Sequence, residues 1–367
     1  MRIALRLAGR GRGQTSPNPM VGALLVRRGQ VIGQGWHRRA GAPHAEIEAM
    51  HDAVKRGAAI RGATLYVTLE PCCTHGRTPP CTDAIIAAGI RRVLVAATDF
   101  NPRHAGRGLK ILRRAGVNVV SGLLDVEATR LNEAFNHWIV HRAPFVTVKS
   151  AMSLDGKIAT CTGESKWITG ERSRAYAMRL RQSADAILVG VNTVMADDPA
   201  LTLRSVPGCR LKVTGLRQPR RIVLDTEART PLGSQLVGDK FASLTTIVAS
   251  KKAAAKRIAA LRRRVHVVIA PLRDGRIDLC WLVKKLGSES VTNLLVEGGG
   301  EVNASFLFQG LAHRVAFFYA PKIIGGREAP KGVAGAGVSD LNQAIKLSDV
   351  EYRWLGSDLL LSANVEN

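Results

Sequence analysis

Three cysteines and a histidine crowd the stretch PCCTHGRTPPC at residues 71–81, and HAE lies upstream at 44–46. Pro43 is suited to opening a helix, which would put His44 and Glu46 in its first turn. Residues two apart do not share a helix face, so the pair divides its work: one metal ligand and one separate proton carrier. Imidazole and thiolate are donors that zinc prefers, and three protein ligands leave a fourth position open, the arrangement of a catalytic centre. Cys72 is one thiolate. Cys73, His75 and Cys81 compete to be the other. Cys73 neighbours Cys72, so its side chain points elsewhere. Pro79 and Pro80 keep a helix from starting before Cys81, which then opens the helix CTDAIIAAG with the dipole favouring its thiolate. The expected zinc ligands are therefore His44, Cys72 and Cys81, with Glu46 as proton carrier, Cys73 a bystander and His75 on the substrate side.

The order HAE, then PC, follows the H-x-E … P-C-x-x-C signature of zinc deaminases, except that position 75 holds histidine where the second cysteine would stand. A second constellation lies in the C-terminal half: VKSAMSLDGKIA (148–159), GESKWIT (163–169), TVMADDPALTLR (193–204), VLDTEART (223–230) and LLVEGGGEVNASF (294–306). The last reads as a strand, a glycine-rich turn and a helix start, whose free amides suit a phosphate. It departs from the G-x-G-x-x-G fingerprint.

The elements that must position these residues follow from hydrophobic periodicity. VGALLVRRGQVIGQG (21–35) predicts two strands about a turn at Arg28 and Gly29. HAEIEAMHDAVKRG has helical spacing at Ile47, Met50 and Val54, with a stop at Gly57. Then come the strand ATLYVTLEP, the helix at Cys81, the strand RRVLVAAT, the helix GRGLKILRRAG and the strand VNVVSG. A mixed sheet covered by helices on both faces is expected. A helix over DVEATRLNEAFNHWIVHRA ends this part, and Pro144 restarts the pattern, giving domains 1–143 and 144–367. The second half again alternates: strand FVTVKSAMS, helix Glu171 to Ser183, strands AILVG, RIVLD and TTIVAS, the basic helix KKAAAKRIAALRRR, strand VHVVIA, a helix, strand NLLVE, helix VNASFLFQG, then RVAFFYAPKII. VPGCRLKVTGLR (206–217) reads as a loop.

The segments SPNPMVGALLV, HAEIEAM, VTLEPC and HGRTPPC resemble the deaminase half of the bifunctional riboflavin-biosynthesis deaminase/reductase family. The C-terminal segments resemble that family's reductase half, SLDGKIA and TVMADDPALTLR most specifically. The resemblance implies an α/β chain with a cytidine-deaminase-like three-layer domain followed by a dihydrofolate-reductase-like domain. It also implies zinc on His44, Cys72 and Cys81, Glu46 as proton shuttle, and Asn18 and His75 at the pyrimidine. For the reductase it implies NADPH against Ala151, Trp167, Thr193, Asp197, Thr226 and the turn Gly298, Gly299, Gly300. Ser165, Arg181, Leu201, Arg204 and Glu297 would meet the phosphoribosyl substrate. Either Lys149 or Asp155 could polarise the ribosyl carbonyl. In TDFNP (98–102), Phe100 stands where the family more often has proline.

Composition bounds the reading. With 46% hydrophobic and 22% charged residues, 367 residues suffice for two cores. The net charge of +24 is shared evenly, +12 in residues 1–142 and +12 in the rest. A nucleic-acid arm would be concentrated, whereas a generally basic surface serves anionic small molecules. Basic residues interrupt the opening MRIALRLAGRGRG, so it lacks the apolar core of a secretory signal, and no apolar run is long enough for a membrane span. The expectation is a cytoplasmic homo-oligomeric enzyme with six reduced cysteines, acting on a small phosphoribosyl pyrimidine, with neither nucleic acid nor membrane as partner. The two rivals are a nucleic-acid-editing deaminase and a C-terminal half that is only a scaffold.

Overall fold

A computed structural model describes residues 1–75, 79–206 and 215–366. The chain forms two compact units, Met1–Arg142 and Ala143–Asn367.

The first unit runs α1 (Arg2–Ala8), β1 (Gly22–Arg27), β2 (Gln30–Trp36), α2 (Ala45–Lys55), β3 (Thr64–Leu69), α3 (Cys81–Ala87), β4 (Arg92–Ala97), α4 (Arg107–Arg114), β5 (Asn118–Ser121), α5 (Asp125–Leu131) and α6 (Glu133–His141). Its sheet has the order β2-β1-β3-β4-β5. β1 is antiparallel to β2 and β3, while β3, β4 and β5 run parallel. The two-residue periodicity of β1 splits its side chains: Ala23 and Leu25 face the core beneath α2, α3 and α4, and Leu24 faces α1. Helices therefore cover both faces, as the alternation predicts. β2 carries Gly33 and Gly35 for a steric reason. A Cβ on Gly33 would lie 2.2 Å from the carbonyl oxygen of Ala49, and one on Gly35 2.4 Å from the nitrogen of Ala49. Helix α2 lies directly on that backbone, which sets the position of its N-terminus and of His44 and Glu46.

Two features of this unit escape the periodicity. The opening residues form α1, whose buried Ala4 and Leu7 are too few to announce an amphipathic helix. The single helix expected after residue 125 breaks at Asn132. The buried Asn132 side chain accepts from the Met20 amide (2.8 Å) and donates to its carbonyl (2.9 Å), pairing with backbone as a strand would. That pairing pins the Asn18–Met20 loop.

The second unit runs β6 (Phe145–Ser153), α7 (Glu171–Ser183), β7 (Ala186–Gly190), α8 (Val191–Asp197), β8 (Arg220–Leu224), α9 (Gln235–Gly238), β9 (Thr245–Ser250), α10 (Ala255–Arg262), β10 (His266–Ala270), β11 (Leu272–Arg273), β12 (Arg276–Ile277), α11 (Leu279–Ser288), β13 (Asn293–Val296), α12 (Gly300–Phe308), β14 (Arg314–Ala320), β15 (Leu347–Leu355) and β16 (Asp358–Val365). Nine strands form one sheet, β10-β9-β8-β7-β13-β6-β14-β16-β15. It is parallel from β10 to β14, and β16 and β15 add an antiparallel edge. The parallel strands are apolar almost throughout, with β7 and β9 buried at every residue, because both faces are covered. Helix α8 and the β15–β16 hairpin are additions to the sequence-based pattern. α8 offers only Val191 and Val194 to the core, and β15 exposes seven of its nine residues, so neither carries a readable period. Most of the expected loop at 206–217 lies outside the described residues.

Candidate active sites

In the first unit, three elements bring the metal-ligand types together. His44 caps α2 in extended conformation, Cys72 follows β3, and Cys81 begins α3. The Nδ1 atom of His44 lies 3.4 Å from the Cys72 sulfur and 3.3 Å from the Cys81 sulfur, and all three donor atoms fall within 4.8 Å of one another. A tetrahedral zinc with bonds near 2.0–2.3 Å needs donor–donor edges of roughly 3.3–3.8 Å, so one imidazole and two thiols at these separations fit it. The Cys81 amide also donates to the Cys72 sulfur at 3.3 Å. Hydrogen bonding from the Cys81 thiol, with help from His44, holds the Cys72 thiol down to about 4.

Glu46 is 3% exposed and lines a cavity of about 310 Å³ together with Asn18, His37, His44, Cys72 and Asp99. Burial pushes its carboxyl up to about 7, leaving it able to take and return a proton near neutral pH. The Cys73 sulfur turns away from the cluster to His104, 3.5 Å from Nδ1. His75 is exposed and is not among the cavity-lining residues. Phe100 also points outward, at 48% exposure, while its neighbours Asp99 and Asn101 line the cavity. Burial raises the Asp99 carboxyl to about 6.

His37 belongs to this site, and sequence reasoning missed it. Its Nδ1 lies 3.1 Å from the Pro43 carbonyl and its Nε2 3.1 Å from the Asn18 amide nitrogen. A carbonyl can only accept, so Nδ1 carries the proton and Nε2 accepts from Asn18. That bond leaves the Asn18 carbonyl oxygen as the end not held by His37. Burial lowers the His37 pKa and keeps the ring neutral. No spacing motif marks His37, because the contact arises from where β2 ends beside the Asn18 loop.

In the second unit, a cavity of about 820 Å³ opens at the carboxyl ends of β7, β8 and β13. Of the residues expected at the cofactor, Thr193, Asp197, Thr226, Gly299 and Gly300 line it, joined by Ser165, whose hydroxyl donates to Asp197 at 2.8 Å. Ala151, Trp167, Gly298 and Leu201 do not line it. Trp167 is 58% exposed beneath the Arg174 guanidinium, and Leu201 is buried with φ of +47°.

A charged cluster accompanies the cavity. Arg181 holds Glu297 with Nε at 2.9 Å and Nη2 at 2.7 Å, their side chains 10% and 8% exposed. The sequence placed both on the substrate; here each is the other's main partner, and Arg181 also donates to the Thr202 carbonyl at 3.2 Å. Burial opposes ionisation of Glu297, yet Arg181, Lys149 and Arg204 overcome it and hold the carboxyl down to about 2. Burial lowers the Lys149 amine, with Glu297 opposing. Burial and Arg181 likewise lower the Arg204 guanidinium. Three cations thus share one carboxylate, an excess suited to an anion. Asp155 is engaged elsewhere: it accepts from the Ser153 hydroxyl (2.6 Å) and the amides of Ile324 (3.1 Å) and Gly325 (2.7 Å).

Comparison with known proteins agrees with this division. Residues 1–97 match the cytidine and deoxycytidylate deaminase zinc-binding region, and residues 144–361 match the RibD C-terminal domain. The riboflavin biosynthesis protein RibD of Actinobacillus pleuropneumoniae is 43% identical over 362 residues, covering 98% of this chain and 93% of the relative. That of Aquifex aeolicus is 44% identical over 361 residues, covering 98% and 96%. The solved structure of Acinetobacter baumannii RibD superposes with a TM-score of 0.87 at 33% identity, covering 100% of this chain and 98% of that one. A Thermotoga maritima diaminohydroxyphosphoribosylaminopyrimidine deaminase/5-amino-6-(5-phosphoribosylamino)uracil reductase gives 0.85 at 35%, covering 100% and 97%. With zinc-ligand residues gathered in one unit and a large cavity at the strand ends of the other, the chain belongs to the RibD family of bifunctional riboflavin-biosynthesis enzymes, which join a zinc-dependent deaminase to an NADPH-dependent reductase.

Proposed function

We propose that residues 1–143 deaminate 2,5-diamino-6-(5-phosphoribosylamino)pyrimidin-4-one and that residues 144–367 then reduce its ribosyl group to a ribityl one. The observation that carries the first step is the buried Glu46 sharing one cavity with His44 and Cys72 of the ligand triad. His44, Cys72 and Cys81 would hold zinc, which would supply a nucleophile at neutral pH. Glu46 moves the proton to the departing amine, and Asn18, oriented by His37, hydrogen-bonds the pyrimidine. His75, exposed and outside the cavity lining, would meet only the exposed part of the substrate.

In the second step NADPH supplies the hydride. Thr193, Asp197, Thr226, Gly299 and Gly300 would hold the cofactor, whereas Ala151 and Trp167, expected at it, lie outside the cavity lining. Arg204 takes the sugar phosphate, where a guanidinium fork matches phosphate oxygens. Ser165, expected at the substrate, would serve the cofactor cavity through Asp197, and Leu201 is packed in the core away from both. Arg181 acts through Glu297, which it fixes next to Lys149. Between Lys149 and Asp155, Lys149 is the group that polarises the ribosyl carbonyl, because it shares the Glu297 cluster while Asp155 is committed to the loop at 324–325.

The working enzyme is a cytoplasmic homo-oligomer without a nucleic-acid partner. Edge strand β15, with Tyr352 at 68% and Trp354 at 72% exposure, would present its outer edge to a second copy. A single-chain mass by sedimentation at micromolar concentration would overturn this. No described helix is long and apolar enough to cross a membrane.

Mass spectrometry of products made with and without NADPH tests the two activities. Deaminated product alone, then deaminated and ribityl product once NADPH is added, is expected. Turnover in neither tube with zinc bound would refute the substrate assignment.

A further inference from the structure

We infer that Arg229 reads the 2′-phosphate of the nicotinamide cofactor and thereby sets the preference for NADPH over NADH. This rests on the cofactor reading above. The cavity runs across the carboxyl ends of adjacent strands, from the Gly299–Gly300 turn after β13, past Val191–Thr193 after β7, to Thr226–Arg229 after β8. The charged cluster that meets the substrate belongs to β6 and β13, through Lys149 and Glu297. Hydride transfer therefore takes place at the β13 end. A dinucleotide stretched along the cavity must then put its adenosine half at the far end, beneath β8.

The turn at that end is built to hold one guanidinium in place. Asp225, fully buried, accepts from the Arg229 amide at 2.9 Å, the Thr230 amide at 2.7 Å and the Thr230 hydroxyl at 2.6 Å. Arg257 clamps the same turn from outside, donating to the carbonyls of Ala228 (3.0 Å) and Thr230 (2.6 Å). The Arg229 side chain is left half-exposed at the cavity wall. It donates one bond to the Asn192 amide oxygen at 3.1 Å, and Glu227 stands 4.0 Å off. Most of its fork remains available. In dinucleotide sites generally, an acidic residue at the end of such a strand accepts the ribose 2′-hydroxyl and a nearby arginine accommodates a 2′-phosphate. Here the arginine lines the cavity on a rigid turn, and its geometry suits a bidentate phosphate contact.

The other cavity arginine, Arg276, is weakly placed for this task. It sits on β12 against Glu301 of α12, 73% exposed, and belongs to neither β7 nor β8.

The test uses the full-length, zinc-loaded protein. Loss of a charge-assisted contact predicts that Arg229→Ala lowers kcat/KM for NADPH by roughly 10- to 100-fold and leaves the value for NADH within about twofold. Calorimetric binding of adenosine 2′,5′-bisphosphate should weaken in parallel, while 5′-AMP binding does not change. Arg229→Lys should recover part of the difference. If the wild type prefers NADPH and Arg229→Ala keeps that preference, or if Arg276→Ala abolishes it instead, the assignment is wrong and the cofactor reading survives. A wild type that binds neither NADPH nor the bisphosphate would overturn both.

Discussion

Replacing Glu297 with glutamine removes one charge and almost no volume, so the consequence is electrostatic rather than a cavity. The Glu297 carboxyl is held at about 2 against an ordinary 4.5, a stabilisation of the ionised form worth about 3 kcal/mol at neutral pH. Breaking a buried ion pair by removing one partner costs about 3–5 kcal/mol by an independent route, because the remaining charge stays desolvated. Arg181 would be that charge, and Lys149 would lose its counterion. Glu297→Gln should therefore destabilise the second unit by about 3 kcal/mol, lowering its melting temperature by roughly 6–12 °C for a unit of this size.

The pH dependence has a fixed sign. Folding depresses this carboxyl, so its contribution is complete above about pH 5 and disappears as pH falls toward 2. Calorimetry of wild type and variant across that range should show a constant gap above about pH 5 that closes below it. Replacing the carboxylate and both buried cations together, Glu297→Leu with Arg181→Met and Lys149→Met, should recover much of the lost stability without restoring reduction. A melting shift under about 2 °C, or a gap that persists at low pH, would refute the view of Glu297 as the shared anion of three cations.

Cys81→Ser should lose bound zinc and deamination by metal analysis and product assay, whereas Cys73→Ser keeps both, since the Cys73 sulfur faces His104. Glu46→Gln should keep zinc and lose deamination. Gln218 pairs with Leu203 through both amide atoms, accepting from its nitrogen at 2.7 Å and donating to its carbonyl at 3.3 Å, immediately before Arg204. Gln218→Ala should raise the KM for the phosphorylated substrate several-fold while leaving its kcat and the KM for NADPH unchanged. Equal shifts in all three would show Gln218 to be a general support of the fold.

What the chain discloses in advance depends on how a constraint is written into it. Helix Glu171–Ser183 and the strands at 145–153, 186–190 and 245–250 were readable to the residue, because packing imposes a period on consecutive positions. Asn132 broke a predicted helix since its amide serves Met20, more than a hundred positions away, and no local pattern records that service. The same distinction separates the two sites. Zinc chelation tolerates few residue types, so His44, Cys72 and Cys81 stand out by identity together with the local signal of Pro79 and Pro80, which puts Cys81 rather than Cys73 or His75 at a helix start. His37, the Arg181–Glu297 pairing and the turn at Asp225 depend on which strand ends lie side by side, and only the sheet order reveals them.

That order also explains why the reductase chemistry converges where it does. β13 lies between β7 and β6, so Lys149 on β6 and Glu297 just beyond β13 are neighbours across one parallel pair. The residues that follow Glu297 form the Gly298–Gly300 turn that opens α12. A Cβ on Gly300 would lie 2.3 Å from the Lys331 carbonyl, so the turn cannot widen to admit a side chain there. One strand end thus presents a carboxylate to the charged cluster of Arg181 and Lys149 and, three residues later, a helix start to the cavity. On the proposed reading, four consecutive residues would bring hydride donor and acceptor together, and any change that shifts β13 along its neighbours should affect both partners at once.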